Sequence, residues 1–235
     1  MACLLIPGPL AAQGRIIDEG VLRVRIGRAE VAREEFSITQ GGSFDGRLGY
    51  RITATAFYPP RRTRVVIAPA VDIGADSQPR LVEFEARTAD AVRTIAQIGP
   101  GRLTIRRFWR GGENFIEYRS SSRVLVVDDS VFALYAIPPG LTPGDVLLVA
   151  PRTEVRLEAR LDNLGHGETV VDGRRYSLLH LVLTAGTDTR HLWYDDDGRL
   201  MKVEIPSRGL SAERVASGRG TPGEADGQER DPPLP

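Results

Sequence analysis

The chain has 235 residues, with 31 basic and 31 acidic side chains and so no formal net charge at neutral pH. That balance counts against a dedicated nucleic-acid binder, which carries a positive excess to meet phosphates, and a 41% hydrophobic content counts against a disordered chain. The single cysteine, Cys3, excludes an intramolecular disulfide and a Cys-built zinc site, and no apolar run reaches the ~18–20 residues of a membrane-spanning helix.

Residues 1–13 (MACLLIPGPLAAQ) have the apolar stretch, Pro-Gly break and small residues of the back half of a secretory signal. A basic n-region is missing, so the alternative is a hydrophobic N-terminal strand. From residue 14 the pattern is strand after strand. Residues 21–26, 31–38, 50–58 and 63–68 come first, and Tyr50, Ile52, Ala54, Ala56 and Tyr58 share one face of the third. Residues 81–87 set Val82, Phe84 and Ala86 opposite Glu83 and Glu85. Residues 88–98 are the best helical candidate, with an N-cap-like Thr88 and Ala91, Val92, Ile95 and Ile98 at roughly helical spacing. Residues 102–109 alternate again, with Leu103, Ile105, Arg107 and Trp109 on one face.

Strands are expected next at 115–119 and 124–127, and 130–137 reads as a short helix or a strand ended by Pro138-Pro139-Gly140. After 146–149, residues 153–162 alternate without error, Val155, Leu157, Ala159 and Leu161 against Glu154, Arg156, Glu158 and Arg160. Further strands fall at 168–171, 176–185, 189–194 and 199–205, separated by tight-turn signals such as Asp172-Gly173 and Asp197-Gly198. Residues 216–235 hold eight Gly or Pro and no aromatic side chain, which predicts a flexible tail. The fold class is therefore all-β: a single large curved antiparallel sheet or open barrel built as a meander, with at most one or two short helices. It occupies residues 14–215 as one domain.

Catalytic signatures are missing: there is no G-x-S-x-G elbow, no H-E-x-x-H and no phosphate-cradling glycine loop. His166 lies in a Gly-His-Gly turn context. His180 and His191 fall on consecutive strands, and a hairpin turning near 185–188 would pair His180 with residues 191–193. With a carboxylate from Asp195, Asp196 or Asp197 they could hold a metal; otherwise they are two strand histidines on a partly covered face. The pair Asp128-Asp129 sits at a strand end, where Asp closes turns, and adjacent strand residues point to opposite faces. All basic residues but Lys202 are Arg, densest at Arg61, Arg62 and Arg64 and at Arg106, Arg107 and Arg110 around Trp109. Guanidinium forks suit lipid head groups; a genome rich in G and C would enrich Arg without any ligand.

Two segments carry a resemblance. Residues 192–206 (LWYDDDGRLMKVEIP), continuing to Leu210 and Arg214, and residues 126–132 (VVDDSVF) resemble a group of uncharacterised bacterial secreted β-rich proteins, domains of unknown function. Those are similar to the Lol-type lipoprotein-carrier fold, a curved antiparallel sheet whose concave face accepts acyl chains. The likeness covers about a third of the chain and is mainly a hairpin, so it speaks for fold far more than for activity. The signal-like segment, the missing catalytic signatures and a large apolar sheet face with little helix to cover it together lead to the expectation of a non-enzymatic periplasmic or secreted protein, with no cofactor or metal, that binds a lipid or lipoprotein acyl chain. Tyr50, Ile52, Phe84, Leu103, Ile105, Val155, Leu157, Leu181 and Trp193 are the residues expected to line the concave face. The alternative from another class is a structural or interaction protein of the envelope, recruiting a partner through its tail. A His/Asp metal enzyme is the third reading.

Overall fold

The computed structural model describes residues 14–42, 48–88, 91–120, 123–137 and 142–215. The expected signal segment 1–13 and tail 216–235 lie outside them.

Fifteen strands form one sheet. The first eight are β1 (Arg15–Ile26), β2 (Ala29–Gly42), β3 (Leu48–Tyr58), β4 (Val65–Ile73), β5 (Pro79–Arg87), β6 (Val92–Gly99), β7 (Gly101–Trp109) and β8 (Gly112–Ser120). They run as a meander in which each strand pairs antiparallel with the next. The chain then enters the far edge of the same sheet with β9 (Val124–Val126) and a 3-10 turn (Phe132–Tyr135). It returns through β10 (Gly144–Ala150), β11 (Val155–Val171), β12 (Arg174–Ala185), β13 (Asp188–Tyr194), β14 (Leu200–Ile205) and β15 (Leu210–Arg214). A second 3-10 turn (Pro206–Arg208) joins β14 to β15, and β15 closes the circuit by pairing antiparallel with β1. Among the described strands only β9 and β10 pair in parallel. The sheet is open, with β8 and β9 at its edges.

Period-two patterning sets which face turns inward. Leu22, Ile52, Phe84 and Leu103 in the first half, and Leu161, Leu183, Val203 and Ala212 in the second, are buried on the concave side. Both faces of the β9–β10 edge are covered: Val124, Leu125 and Val126, and Val146 through Val149, are all buried. That edge is tucked inside the curve. The start of β11 meets β8 there, with the Arg156 guanidinium 4.3 Å over the Tyr118 ring and Asn114 donating to Glu154 at 3.2 Å. A sheet this long thus closes its apolar face against its own edge, with no helical layer.

Several expectations change. The helix expected at 88–98 is strand β6 over its Val92–Gly99 part: Thr94, Ala96 and Ile98 point inward while Arg93 and Gln97 face water. Three of those eight residues are β-branched Val or Ile and one is Thr, so period two suits them better than a helix wedged between β5 and β7. Residues 153–162 and 168–171 are not separate strands. They join in β11 through a bulge between Asn163 and His166, so the Gly165-His166-Gly167 element is an irregularity within a strand. Residues 130–137 resolve to a 3-10 turn. Strand β15 goes unread in the sequence because it is five residues long with one buried position, Ala212.

Candidate functional site

After β9 the chain leaves the ladder and packs into the hollow of the sheet. Val131 through Ala136 are each at most 3% exposed. An apolar segment this short cannot satisfy its own backbone, so side chains from distant strands do it. Glu34 of β2 accepts the N–H groups of Phe132 at 2.8 Å and Ala133 at 2.7 Å, acting as an N-terminal cap supplied from about a hundred residues away. The Tyr58 hydroxyl donates to the Ser130 carbonyl, and the Tyr194 hydroxyl to the Tyr135 carbonyl, each at 2.7 Å. Asp128 accepts the Ser130 N–H at 2.8 Å and takes a two-pronged bond from Arg152 at 2.8 and 2.9 Å. Asp129 points the other way, toward Arg190 and Arg208. The aspartate pair is thus a turn-former whose two carboxylates have separate cationic partners, one for Asp128 and two for Asp129.

Burial pushes the Glu34 carboxyl up to about 8, against the lowering pull of its two N–H donors, and nearby Asp128 adds to the rise. Among the described residues no cation pairs with this carboxyl. Burial also raises the Tyr58, Tyr135 and Tyr194 phenols. Asp129 is held below the usual carboxylate range: burial opposes this, but bonds from Arg208 and Arg190 outweigh it. Arg190 is 4% exposed, and its Nε and Nη1, like the Tyr135 hydroxyl, have no partner among the described residues.

The hollow is filled. Ile52, Val71 and Ile73 of the sheet meet Val126, Leu134 and Ile137 of the inserted segment around a void of about 10 Å³. Of the residues expected to line the concave face, Ile52, Phe84, Leu103, Ile105 and Leu181 lie in this core, and half-buried Tyr50 packs against it. Val155 and Leu157 do not: they are 44% and 45% exposed at the start of β11. Trp193 is misassigned as well. Leu192 takes the inward position, so Trp193 faces out, where it joins Val171 and Leu178 in a second small core under the β11–β12 hairpin.

Nothing in three comparisons, with family models, curated proteins and solved structures, matches this chain.

His180 and His191 do converge, with His180 opposite Trp193 as the hairpin count expects. Their Nε2 and Nδ1 atoms are 2.9 Å apart in a hydrogen bond, and the His180 ring stacks on Trp193 at 3.8 Å. Burial and then His191 hold His180 below its usual range. Trp193 Nε1 donates to Glu204, which pairs with Lys202 at 2.8 Å. Among the described residues no three His, Cys, Asp or Glu side chains meet in a metal-binding group. His166 is exposed and lies 3.2 Å from Asp196. Sequence reasoning missed Glu34, although one signal was available: it interrupts the apolar row Ala32, Phe36 and Ile38 on β2. Tyr58 was placed on the right face, but its hydrogen bond could not be foreseen.

Proposed function

We propose that this chain is a non-enzymatic periplasmic or secreted protein, similar in build to Lol-type carriers. Its concave face would take up the acyl chain of a lipid or lipoprotein by displacing the segment 127–137. The observation that carries this reading is the way that segment is held. It packs on an apolar sheet face and is held there mainly by side chains: two bonds to Glu34, one each from Tyr58 and Tyr194, and the ion pairs of Asp128 with Arg152 and of Asp129 with Arg190 and Arg208, with one backbone bond to the ladder, from the Val127 N–H to the Val149 carbonyl. Such an element can leave as a unit without unzipping a strand. The energies permit exchange. Re-exposing Val131, Phe132, Leu134 and Tyr135 costs roughly 1.5–3 kcal/mol each, and a chain of about sixteen carbons returns about 0.8 kcal/mol per buried CH₂. The two totals are of similar size, so occupancy depends on how firmly the segment is tethered.

The test is lipid extraction and mass spectrometry of protein purified from envelope fractions, with titration of a fluorescent sixteen-carbon fatty acid. Acyl chains in the extract, or saturable binding of the probe, support the reading. A lipid-free protein that ignores the probe overturns it. That result would favour the second reading, a structural or interaction protein of the envelope, which the close packing of Val126, Leu134 and Ile137 on Ile52, Val71 and Ile73 supports. The His180–His191 pair supports an enzyme less well, because no third group completes a metal site or catalytic set among the described residues.

A further inference from the structure

In an antiparallel meander, the turns that follow odd-numbered strands all lie at one end of the sheet. Three of the four such turns in the first eight strands carry arginine: Arg28 after β1, Arg61, Arg62 and Arg64 after β3, and Arg110 after β7. The fourth, residues 88–91 after β5, has no Arg and includes Asp90. No Asp or Glu occurs within residues 27–28, 59–64 or 110–111, and Glu30, which borders a cleft with Arg61 and Arg62, is engaged with Arg23 at 3.5 Å. All five guanidiniums are exposed, and none makes an ion pair or hydrogen bond among the described residues. Several strand-face arginines of the same half are paired instead: Arg51 with Asp72, Arg93 with Glu83 and Arg102 with Glu117. The zero net charge of the chain is therefore unevenly spread.

Apolar groups stand among these charges. Trp109 is 44% exposed and Ile26 52% exposed, each at the end of its strand. Trp109 borders an open cleft of about 590 Å³ with Val92, Arg107 and Arg110, and the Arg107 Nε there is buried without a partner. With strands about 4.8 Å apart, the arc from the β1 turn to the β7 turn runs about 30 Å. That span suits an extended surface better than one small anion.

We propose that this end of the sheet docks on an anionic lipid bilayer, its five free guanidiniums on lipid phosphates and Trp109 and Ile26 in the interfacial layer. Arg forks match phosphate oxygens, and indole rings settle at the headgroup level. The proposal stands whether or not an acyl chain enters the interior. A nucleic acid would answer the charges and could stack a base on the indole, but it would leave the exposed aliphatic Ile26 without a role.

The experiment is co-sedimentation of the full chain with equimolar phosphatidylcholine–phosphatidylglycerol vesicles and with phosphatidylcholine vesicles alone. Binding to the mixed vesicles only, weakened by salt, is expected. The triple variant Arg61→Glu, Arg62→Glu, Arg64→Glu lowers partition by about a hundredfold or more, and Trp109→Ala lowers it severalfold. A control triple, Arg119→Glu, Arg174→Glu, Arg175→Glu, changes exposed unpaired arginines elsewhere and leaves binding within about twofold of wild type. Circular dichroism confirms that both triples fold. Equal binding to both vesicle types, equal loss in both triples, or a duplex oligonucleotide that binds in competition with the vesicles would each overturn the proposal.

Discussion

Glu34 and Asp128 are two buried carboxylates a short way apart in the same hollow, and they face opposite electrostatic circumstances. Asp128 has the Arg152 fork; Glu34 has only two backbone N–H groups. A carboxyl near 8 when folded and near 4.5 when unfolded takes up a proton on folding between those values. Its favourable share of stability is thus present at acid pH and is lost as pH rises from about 4.5 through about 8. His180, lowered by burial and by His191, works the other way, losing its share as pH falls below its usual 6.5. Glu34→Gln should abolish the alkaline loss and keep the acid one. It should also cost about 1–3 kcal/mol at pH 6, because an amide offers one acceptor to two N–H donors. Urea midpoints at pH 6 and pH 9 check both statements: wild type drops between them and the variant does not. Asp128→Asn should cost about 2–3 kcal/mol at either pH by equilibrium unfolding. That is less than for a fully enclosed pair, because Arg152 keeps 24% of its side chain in water. Glu34 went unread in the sequence, although an acid in the apolar row Ala32, Phe36 and Ile38 is a signal for it. Its partners at Phe132 and Ala133 carry no such signal, since no local pattern links positions so far apart.

Strands were legible wherever one face is wet, because alternation then records the burial directly. β3 and β5 read cleanly for this reason, and the turns carrying Asp172-Gly173 and Asp197-Gly198 fell where expected. Reading failed where burial departs from alternation. On β11, Val155 and Leu157 keep the inward parity of Ala159 and Leu161, yet they stay nearly half exposed, so the pattern named a face without saying how far the cover extends. Trp193 misled for the converse reason: its outward position is covered by the β11–β12 hairpin, which bends at the 163–166 bulge. Gly167 lets that hairpin lie on the indole, for a Cβ there would stand 3.3 Å from the ring. Lys202 bonds the Val170 carbonyl at 3.0 Å, and the Asp172 N–H reaches Glu213 at 3.1 Å, so the hairpin is clasped along its length. Trp193→Ala should release it. Stability should fall by about 3–5 kcal/mol, and hydrogen exchange should quicken across residues 166–178 while β3, β4 and β5 keep their protection. Uniform loss across the sheet would show that the indole supports the whole fold and not the hairpin alone.

For the whole molecule, the governing constraint is that fifteen strands in one sheet create more apolar surface than their own curvature can hide. The inward β9–β10 edge and the segment after it supply the missing cover. The same segment is what a ligand would have to replace, which makes occupancy of the hollow a competition. Phe132→Ala tests that competition. Phe132 is 0% exposed and belongs to the inserted segment, so its loss should cost about 3–5 kcal/mol of stability. If an acyl chain takes the place of the segment, weakening the segment by about 3 kcal/mol should also raise the affinity for a fluorescent fatty acid by roughly a hundredfold. Phe84→Ala provides the contrast. Phe84 belongs to the sheet wall and touches whatever fills the hollow, so its removal should lower stability by a similar amount without strengthening probe binding. Opposite shifts in stability and affinity for Phe132→Ala, with no gain for Phe84→Ala, mark displacement of the segment. If Phe132→Ala binds the probe no better than wild type, the segment is a permanent part of the core and the carrier reading fails.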